Sequence, residues 1–203
     1  MQIQGTVAAG ASSASQTPGT VAQVRSGQLG DVIVSELQGR YYEQTYRGNK
    51  FSWANPAAVT PPATFASTAP TSCVYNPPGS KVNLVLTKVA AVFAAAPAGA
   101  VVVGLVTGFN AAVPTGVTNG TPVSNFVGNP AGNGKTATVA TLGTAPALVL
   151  PLLAVEAASS ITPAPAYVEL AGSIVIPPGG YAAINSNAAC SIIGAFEWDE
   201  VPV

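Results

Sequence analysis

The sequence predicts an all-β protein: an antiparallel β-sandwich, jelly-roll-like, with an extended N-terminal arm. From Cys73 onward, apolar runs rich in β-branched residues alternate with turns built from Gly, Pro and Asn. No stretch of the sequence combines helix-forming residues with a clear helical periodicity. About seven or eight such runs with few helix signals are typical of a jelly roll or a related Greek key.

Each predicted strand is bounded by turn residues. The runs cover a segment starting at 82–86, then 100–109, 136–142, 148–156, 167–176, 181–185 and 191–198. Asn119-Gly120 predicts a hairpin turn, which we prefer to N-glycosylation because no secretory signal precedes it. The uncharged stretch 89–113 predicts two buried strands around Pro97-Ala98-Gly99 rather than a membrane span, because Pro and Gly interrupt it.

Composition divides the chain into three parts. Residues 1–28 are small, polar and aperiodic, which predicts a flexible or partner-ordered arm. Residues 29–72 form a docking segment with a turn-rich linker, and residues 73–203 form the β-sandwich domain.

The small number of charged residues excludes several classes of function. Charged residues make up 7% of the 203 residues, and the net charge is −1. Seven basic residues cannot neutralise many phosphates, so we expect no nucleic-acid partner. Histidine is absent, which excludes Ser-His-Asp catalysis and His-ligated metals. We therefore expect no enzyme activity, no cofactor and no metal, and a nearly neutral surface suited to self-assembly, most simply as a homotrimer.

Charge sign is segregated along the chain. Bases outnumber acids through Lys50, whereas all five charges after residue 150 are acidic. The two ends could pair within a subunit or across a subunit boundary.

Three motifs could carry chemistry. The Gly/Asn-rich segment 128–134 before Lys135 resembles a phosphate-binding loop, but Asn129 replaces the first required glycine and a β-branched run follows, so we interpret it as a turn. Two carboxylates could hydrolyse a glycosidic bond, although isolated solvated acids are the simpler interpretation. The candidate acids are Glu156, Glu169, Glu197, Asp199 and Glu200. The acidic segment 197–200 could also bind a hard cation, but it lacks a full oxygen cage.

The two cysteines, Cys73 and Cys190, match no metal or redox spacing. We expect free thiols, and a disulfide stays open at this point.

The most distinctive segment is rich in Arg and Tyr, residue types that are enriched in protein interfaces. The predicted interface residues are Arg40, Tyr41, Tyr42, Tyr46, Arg47 and Trp53. The alternative is an edge strand and loop folded on its own domain.

Four phrases together resemble virion structural proteins of tailed bacteriophages, especially β-sandwich capsid decoration (cement) proteins. They are GRYYEQTYRGNKFSW at 39–53, NPPGSKVNLVLTKVAAVF at 76–93, GSIVIPPGGYAAI at 172–184 and FEWDEVPV at 196–203. The resemblance implies a jelly-roll-like subunit, often trimeric, that is made in the host cytoplasm and lies on the capsid surface over joints between major capsid proteins. We also expect no membrane partner, because Pro and Gly interrupt the uncharged stretch 89–113.

Two alternatives remain. One is a tail, neck or fibre component with the same sandwich. The other belongs to a different class, a carbohydrate-binding module or glycan hydrolase, which would need Trp53, Trp198 and the tyrosines to converge on one sandwich face.

Overall fold

The structure is a computed structural model that describes residues 40–156 and 164–203. The chain divides into two compact units, 1–43 and 44–203, and residues 40–43 are the described part of the first. The predicted N-terminal arm, 1–28, lies outside the described residues. Strands account for 52% of the described residues, and the one described helix is short, α1 (Tyr42–Tyr46). The prediction of an all-β sandwich is confirmed.

Eleven strands follow in chain order in the described residues. They are β1 (Lys50–Ala54), β2 (Cys73–Tyr75), β3 (Val82–Phe93), β4 (Val101–Phe109), β5 (Thr115–Asn119), β6 (Val123–Ser124), β7 (Lys135–Thr141), β8 (Ala147–Val155), β9 (Ala166–Ile176), β10 (Gly180–Ser186) and β11 (Ile192–Pro202). They form a five-stranded sheet, β6-β1-β11-β3-β9, and a six-stranded sheet, β5-β7-β2-β10-β4-β8.

The strand order is that of a jelly roll with an insertion. Without β5, β6 and β7, the remaining eight strands form two antiparallel four-stranded sheets, β1-β11-β3-β9 and β2-β10-β4-β8. The segment between β4 and β8 supplies the other three strands, and we call residues 110–146 the insertion. The insertion adds β6 beside β1 and adds β7 and β5 beside β2, so it covers one edge of each sheet.

The core lies between the two sheets because strand residues alternate between inward and outward faces. In β3, Leu84, Leu86, Val89 and Ala91 are buried, and the residues between them, apart from Thr87, are partly exposed. The large inward side chains of β1 and β11 join the same core. The alternation therefore sets which side chains of β1, β3 and β11 remain on the outer face of the five-stranded sheet.

A second apolar cluster lies on the opposite face of the six-stranded sheet. It contains Cys73, Tyr75, Val106, Tyr181 and Ala183, with Phe65 packed against it. Residues 55–72 cover this face, since the Nδ2 of Asn185 donates to the carbonyl oxygen of Phe65 at 3.2 Å. This cover explains why every residue of β10 is buried.

The structure departs from the sequence analysis in two places. The sandwich was expected to start at Cys73, but β1 starts at Lys50 and pairs with β11 along its whole length. The hairpin predicted at Asn119-Gly120 is wrong, because β5 and β6 on either side belong to different sheets. The amide of Gly120 instead donates to the carbonyl oxygen of Thr136 at 2.8 Å.

The uncharged stretch 89–113 forms parts of two strands, β3 and β4, as predicted. Among the described residues, no helix is long and apolar enough to span a membrane.

The edge strands of the eight-stranded roll that the insertion does not cover, β8 and β9, are both irregular. The ladder between β4 and β8 shifts register at two places, and Pro151 lies in β8. The ladder between β3 and β9 shifts between Leu86 and Lys88, beside Ala171 and Gly172, which have positive φ. Bulges and proline hinder pairing with another strand, so these edges are protected against edge-to-edge association.

Candidate functional site

Four of the predicted interface residues are exposed. Arg40, Tyr42, Tyr46 and Arg47 lie on the surface, and Tyr41 is partly exposed. The guanidinium carbon of Arg40 lies 5.4 Å from the centre of the Tyr41 ring, a cation–π distance. Each of these five residues also has further interactions within the chain.

Tyr46 belongs to an exposed apolar cluster on the second unit. Its ring meets Phe126 edge-on, with 6.1 Å between the ring centres. Phe126 is 43% exposed and Val127 is 94% exposed, and Val123 on β6 is also exposed. We call Tyr46, Val123, Phe126 and Val127 the insertion patch, because three of its four residues lie on the insertion. Exposed apolar groups gathered in this way make the insertion patch a candidate protein-binding surface.

Sequence reasoning found Tyr46 but missed the other three residues of the insertion patch. Val123, Phe126 and Val127 lie in a short segment without strand or helix periodicity. The available signal was an aromatic residue between two turn-forming segments, Asn119-Gly120 and 128–134, where solvent exposure is the default.

Trp53 lies in the core and not on the surface. It is 5% exposed, and its ring stacks on Phe196 with 6.5 Å between centres. Trp198 is also buried, beside Phe51. Neither tryptophan can form the platform for sugar rings that a carbohydrate-binding face needs.

A charged cluster lies on the outward side of β1, β3 and β11. Lys50 is 2% exposed, and its Nζ lies 2.8 Å from the Oε1 of Glu197 and 3.2 Å from the Oδ1 of Asp199. It also donates to the Oγ1 of Thr87 at 2.9 Å. The basic N-terminal region and the acidic C-terminal region therefore meet within the subunit, one of the two arrangements that the sequence left open.

Lys88 completes the charged cluster. Its Nζ lies 3.3 Å from the Oε1 of Glu197 and 5.8 Å from the centre of the Tyr167 ring. Desolvation lowers the pKa of Lys88, but the hydrogen bond with Tyr167 and the charge of Glu197 outweigh it, so the pKa lies above its usual value. Lys50, Lys88, Glu197 and Asp199 are the charged cluster, and their charges are largely matched within it.

A groove of about 310 Å³ runs beside the charged cluster. Its floor contains Ala54, Ala90 and Ala195, which are cross-strand neighbours on β1, β3 and β11. Tyr167 and Val123 lie at its two sides. Because the three alanines lie side by side on one face of the sheet, the floor of the groove is flat and apolar.

The Gly/Asn-rich segment does hold an anion, but the anion is a side chain of the same chain. The carboxylate of Glu200 accepts hydrogen bonds from the Gly134 amide at 2.7 Å, and from the Asn133 amide and side chain at 2.9 Å each. Lys135 begins β7, so no helix starts at this point. The segment is a turn closed by Glu200, and its amides are unavailable to a phosphate.

The other acids in the described part of the chain do not gather into a cation site. Glu197 and Asp199 face outward on β11, whereas Glu200 is buried on the other side. The described residues contain no group of three acidic, Cys or His side chains that could hold a metal ion. Glu169 on β9 is the cross-strand partner of Lys88 and has further interactions within the chain. Glu156 is exposed and follows the end of β8.

Both cysteines are buried free thiols, as expected. Cys73 lies in the second apolar cluster and Cys190 in the core between the sheets. Burial raises the pKa of Cys73 from 9.0 to about 12, which keeps the thiol protonated and unreactive.

No protein-family model, curated protein or solved structure matches the chain.

Proposed function

We propose that the protein is a structural virion protein, a capsid decoration or cement protein that stabilises contacts between major capsid subunits. The sequence phrases listed above support this proposal by resemblance, and a jelly roll is compatible with it. The protein would be made in the host cytoplasm and would act on the capsid surface.

The insertion patch is the observation that carries the proposal. Phe126 and Val127 are exposed on a segment that the eight-stranded roll does not need. An exposed aromatic with aliphatic neighbours buries apolar surface on binding, which stabilises a complex by roughly 25 cal/mol per Å². The insertion patch therefore suits attachment to another protein.

The contacts that the charged residues make within the subunit also support a structural function. Lys50 and Lys88 neutralise Glu197 and Asp199, and Glu200 closes a turn. These acids stabilise the fold, so they are poorly placed to bind and hydrolyse a glycan. Together with the buried tryptophans, this counts against the carbohydrate-binding alternative.

The proposal includes self-association: the protein would form a homotrimer. Because β8 and β9 are bulged, the subunits would meet through side-chain surfaces such as the insertion patch and not by joining sheets. A tail, neck or fibre location would use the same surfaces, so only the position in the particle separates it from the capsid proposal.

A particle-binding assay tests the role of the insertion patch. Purified protein is added to capsids that lack it, and the bound fraction is measured after sedimentation. Phe126→Ser should lower the affinity at least tenfold, since a central aromatic anchor commonly contributes about 2 kcal/mol. Phe109→Ser is the matched control, because Phe109 is an exposed phenylalanine outside the insertion patch. Equal binding by both variants would refute the role of the patch.

A further inference from the structure

The first and last strands of the roll place a lysine directly opposite an aspartate. Lys50 on β1 and Asp199 on β11 are cross-strand partners, and the Nζ of Lys50 lies 3.2 Å from the Oδ1 of Asp199. Lys50 is 2% exposed, so its amine meets protein groups and almost no solvent. The amine and the carboxyl group lie together away from bulk water. Between them they contain the atoms of one amide bond and one water molecule.

Glu197 is placed to move protons between these two groups. It lies two residues before Asp199 on the same side of β11, with its Oε1 2.8 Å from the Nζ of Lys50. Its Oε1 also lies 3.3 Å from the Nζ of Lys88 and accepts from the Oγ1 of Thr87 at 3.3 Å. The Oε1 of Glu197 is therefore within direct proton-transfer distance of the Lys50 amine.

We propose that Lys50 and Asp199 join in an intramolecular isopeptide bond that the folded chain forms by itself, with Glu197 as the proton-transferring catalytic residue. This inference goes beyond the proposed function and does not depend on it.

The reaction is a condensation that needs no further reactant. The Lys50 ammonium gives one proton to Glu197, and the nitrogen lone pair attacks the Cγ of Asp199. In the resulting tetrahedral intermediate, the second nitrogen proton and the proton held by Glu197 pass to one Asp199 oxygen. The bond from Cγ to that oxygen breaks, water leaves, and the amide keeps one hydrogen. Glu197 returns to its carboxylate form.

Two features of the site favour Asp199 as the acyl donor. Burial raises the pKa of its carboxyl, the neighbouring Glu197 adds to this, and Lys50 only partly opposes it. When a carboxyl group binds a proton more readily, it also loses one of its oxygens as water more easily. The Oγ1 of Thr87 accepts from the Lys50 amine at 2.9 Å and holds it beside both acids.

The bond would close the roll covalently. Lys50 and Asp199 are 149 positions apart, so the link would tie β1 to β11 across most of the chain. A cross-link around so long a segment restricts the unfolded chain strongly, as a long-range disulfide does.

Intact-protein mass spectrometry on the full, denatured chain tests the proposal directly. We expect the purified protein to weigh one water molecule less than its sequence, and fragmentation should locate the link between peptides containing Lys50 and Asp199. A mass equal to that of the sequence after prolonged incubation of the folded protein would overturn the proposal, as would a link from Lys50 to Glu197.

Five variants separate the roles of the residues. Asp199→Ala and Lys50→Arg should keep the full mass, whereas Lys135→Ala, which removes an exposed lysine, should still lose water. Asp199→Asn should lose ammonia instead of water, because the side-chain amide is then the leaving group, and this identifies the acyl donor even if the alanine variant folds poorly. Glu197→Gln should slow the mass loss at least tenfold. An unchanged rate in this variant would refute the catalytic role of Glu197.

Discussion

The carboxylate of Glu200 accepts a hydrogen bond from the amide of Gly134 at 2.7 Å and so joins the last strand to the insertion. Two further bonds from Asn133 reach the same carboxylate, which is 6% exposed. Hydrogen bonds to a buried charged group are among the stronger ones in proteins, because no water replaces them when they are lost.

Removing this carboxylate should destabilise the protein. We expect Glu200→Ala to lower the free energy of unfolding by about 3 kcal/mol, since the Gly134 amide is left buried without an acceptor. Glu200→Gln should cost less, because one side-chain oxygen still accepts. Urea unfolding followed by tryptophan fluorescence measures both, and equal stability of all three proteins would contradict the assignment.

Alanine substitutions of two predicted interface residues, Trp53 and Tyr46, should have different effects on stability and on particle binding. Trp53→Ala removes a core ring stacked on Phe196 and should cost about 3–5 kcal/mol of stability. Tyr46→Ala removes a ring that is 42% exposed and should cost under about 1 kcal/mol while weakening particle binding. Thermal melting and the sedimentation assay distinguish them. A folded Trp53→Ala protein with wild-type stability would be incompatible with the core position.

Trp53 shows how far the sequence carries the prediction of the site. Its residue type suits both a core and an interface, and the Arg- and Tyr-rich neighbours favoured the interface. The alternation in Lys50–Ala54, with Phe51 and Trp53 separated by Ser52, indicates a strand with one buried face. Only the pairing with β11 decides which face that is, because pairing between residues so distant in sequence leaves no local signal.

The long strands β3, β9 and β11 were predictable because buried and more exposed residues alternate along most of their length. The turn at Pro177-Pro178-Gly179-Gly180 follows from its residues, since Pro fixes one φ and Gly179 supplies the positive φ of 90° that a type II turn requires. The short strands β5 and β6 have too few residues for a pattern. Their assignment to different sheets depends on contacts with β7 and β1, which a single sequence does not encode locally.

Stability should fall at alkaline pH because of Cys73. Burial raises the pKa of its thiol from 9.0 to about 12, so above pH 9 the unfolded chain releases a proton that the folded chain retains. The stabilising contribution is complete below pH 9 and is lost as the pH rises through about 12, with a slope up to about 1.4 kcal/mol per pH unit. Urea unfolding at several pH values under reducing conditions measures this slope. Cys73→Ala should flatten it, and an unchanged slope would assign the effect to other groups.

The Gly/Asn-rich turn should not bind nucleotide. Glu200 already occupies the amides of Asn133 and Gly134, and Lys135 is exposed at the start of β7. We expect isothermal titration with ATP and Mg²⁺ to give no saturable heat, and Lys135→Ala to leave stability unchanged within about 0.5 kcal/mol. Saturable binding that disappears in Lys135→Ala would overturn the interpretation of the turn.

The position of the protein in the virion tests the proposed role as a capsid decoration protein. A cryo-electron-microscopy map of the virion produced from the encoding genome should contain the two-sheeted roll on the outer capsid surface, over the joints between major capsid subunits. In this map we expect Phe126 and Val127 of the insertion patch to contact a neighbouring subunit. A capsid surface without this roll, or the roll found only in the tail, neck or fibres, would contradict the claim.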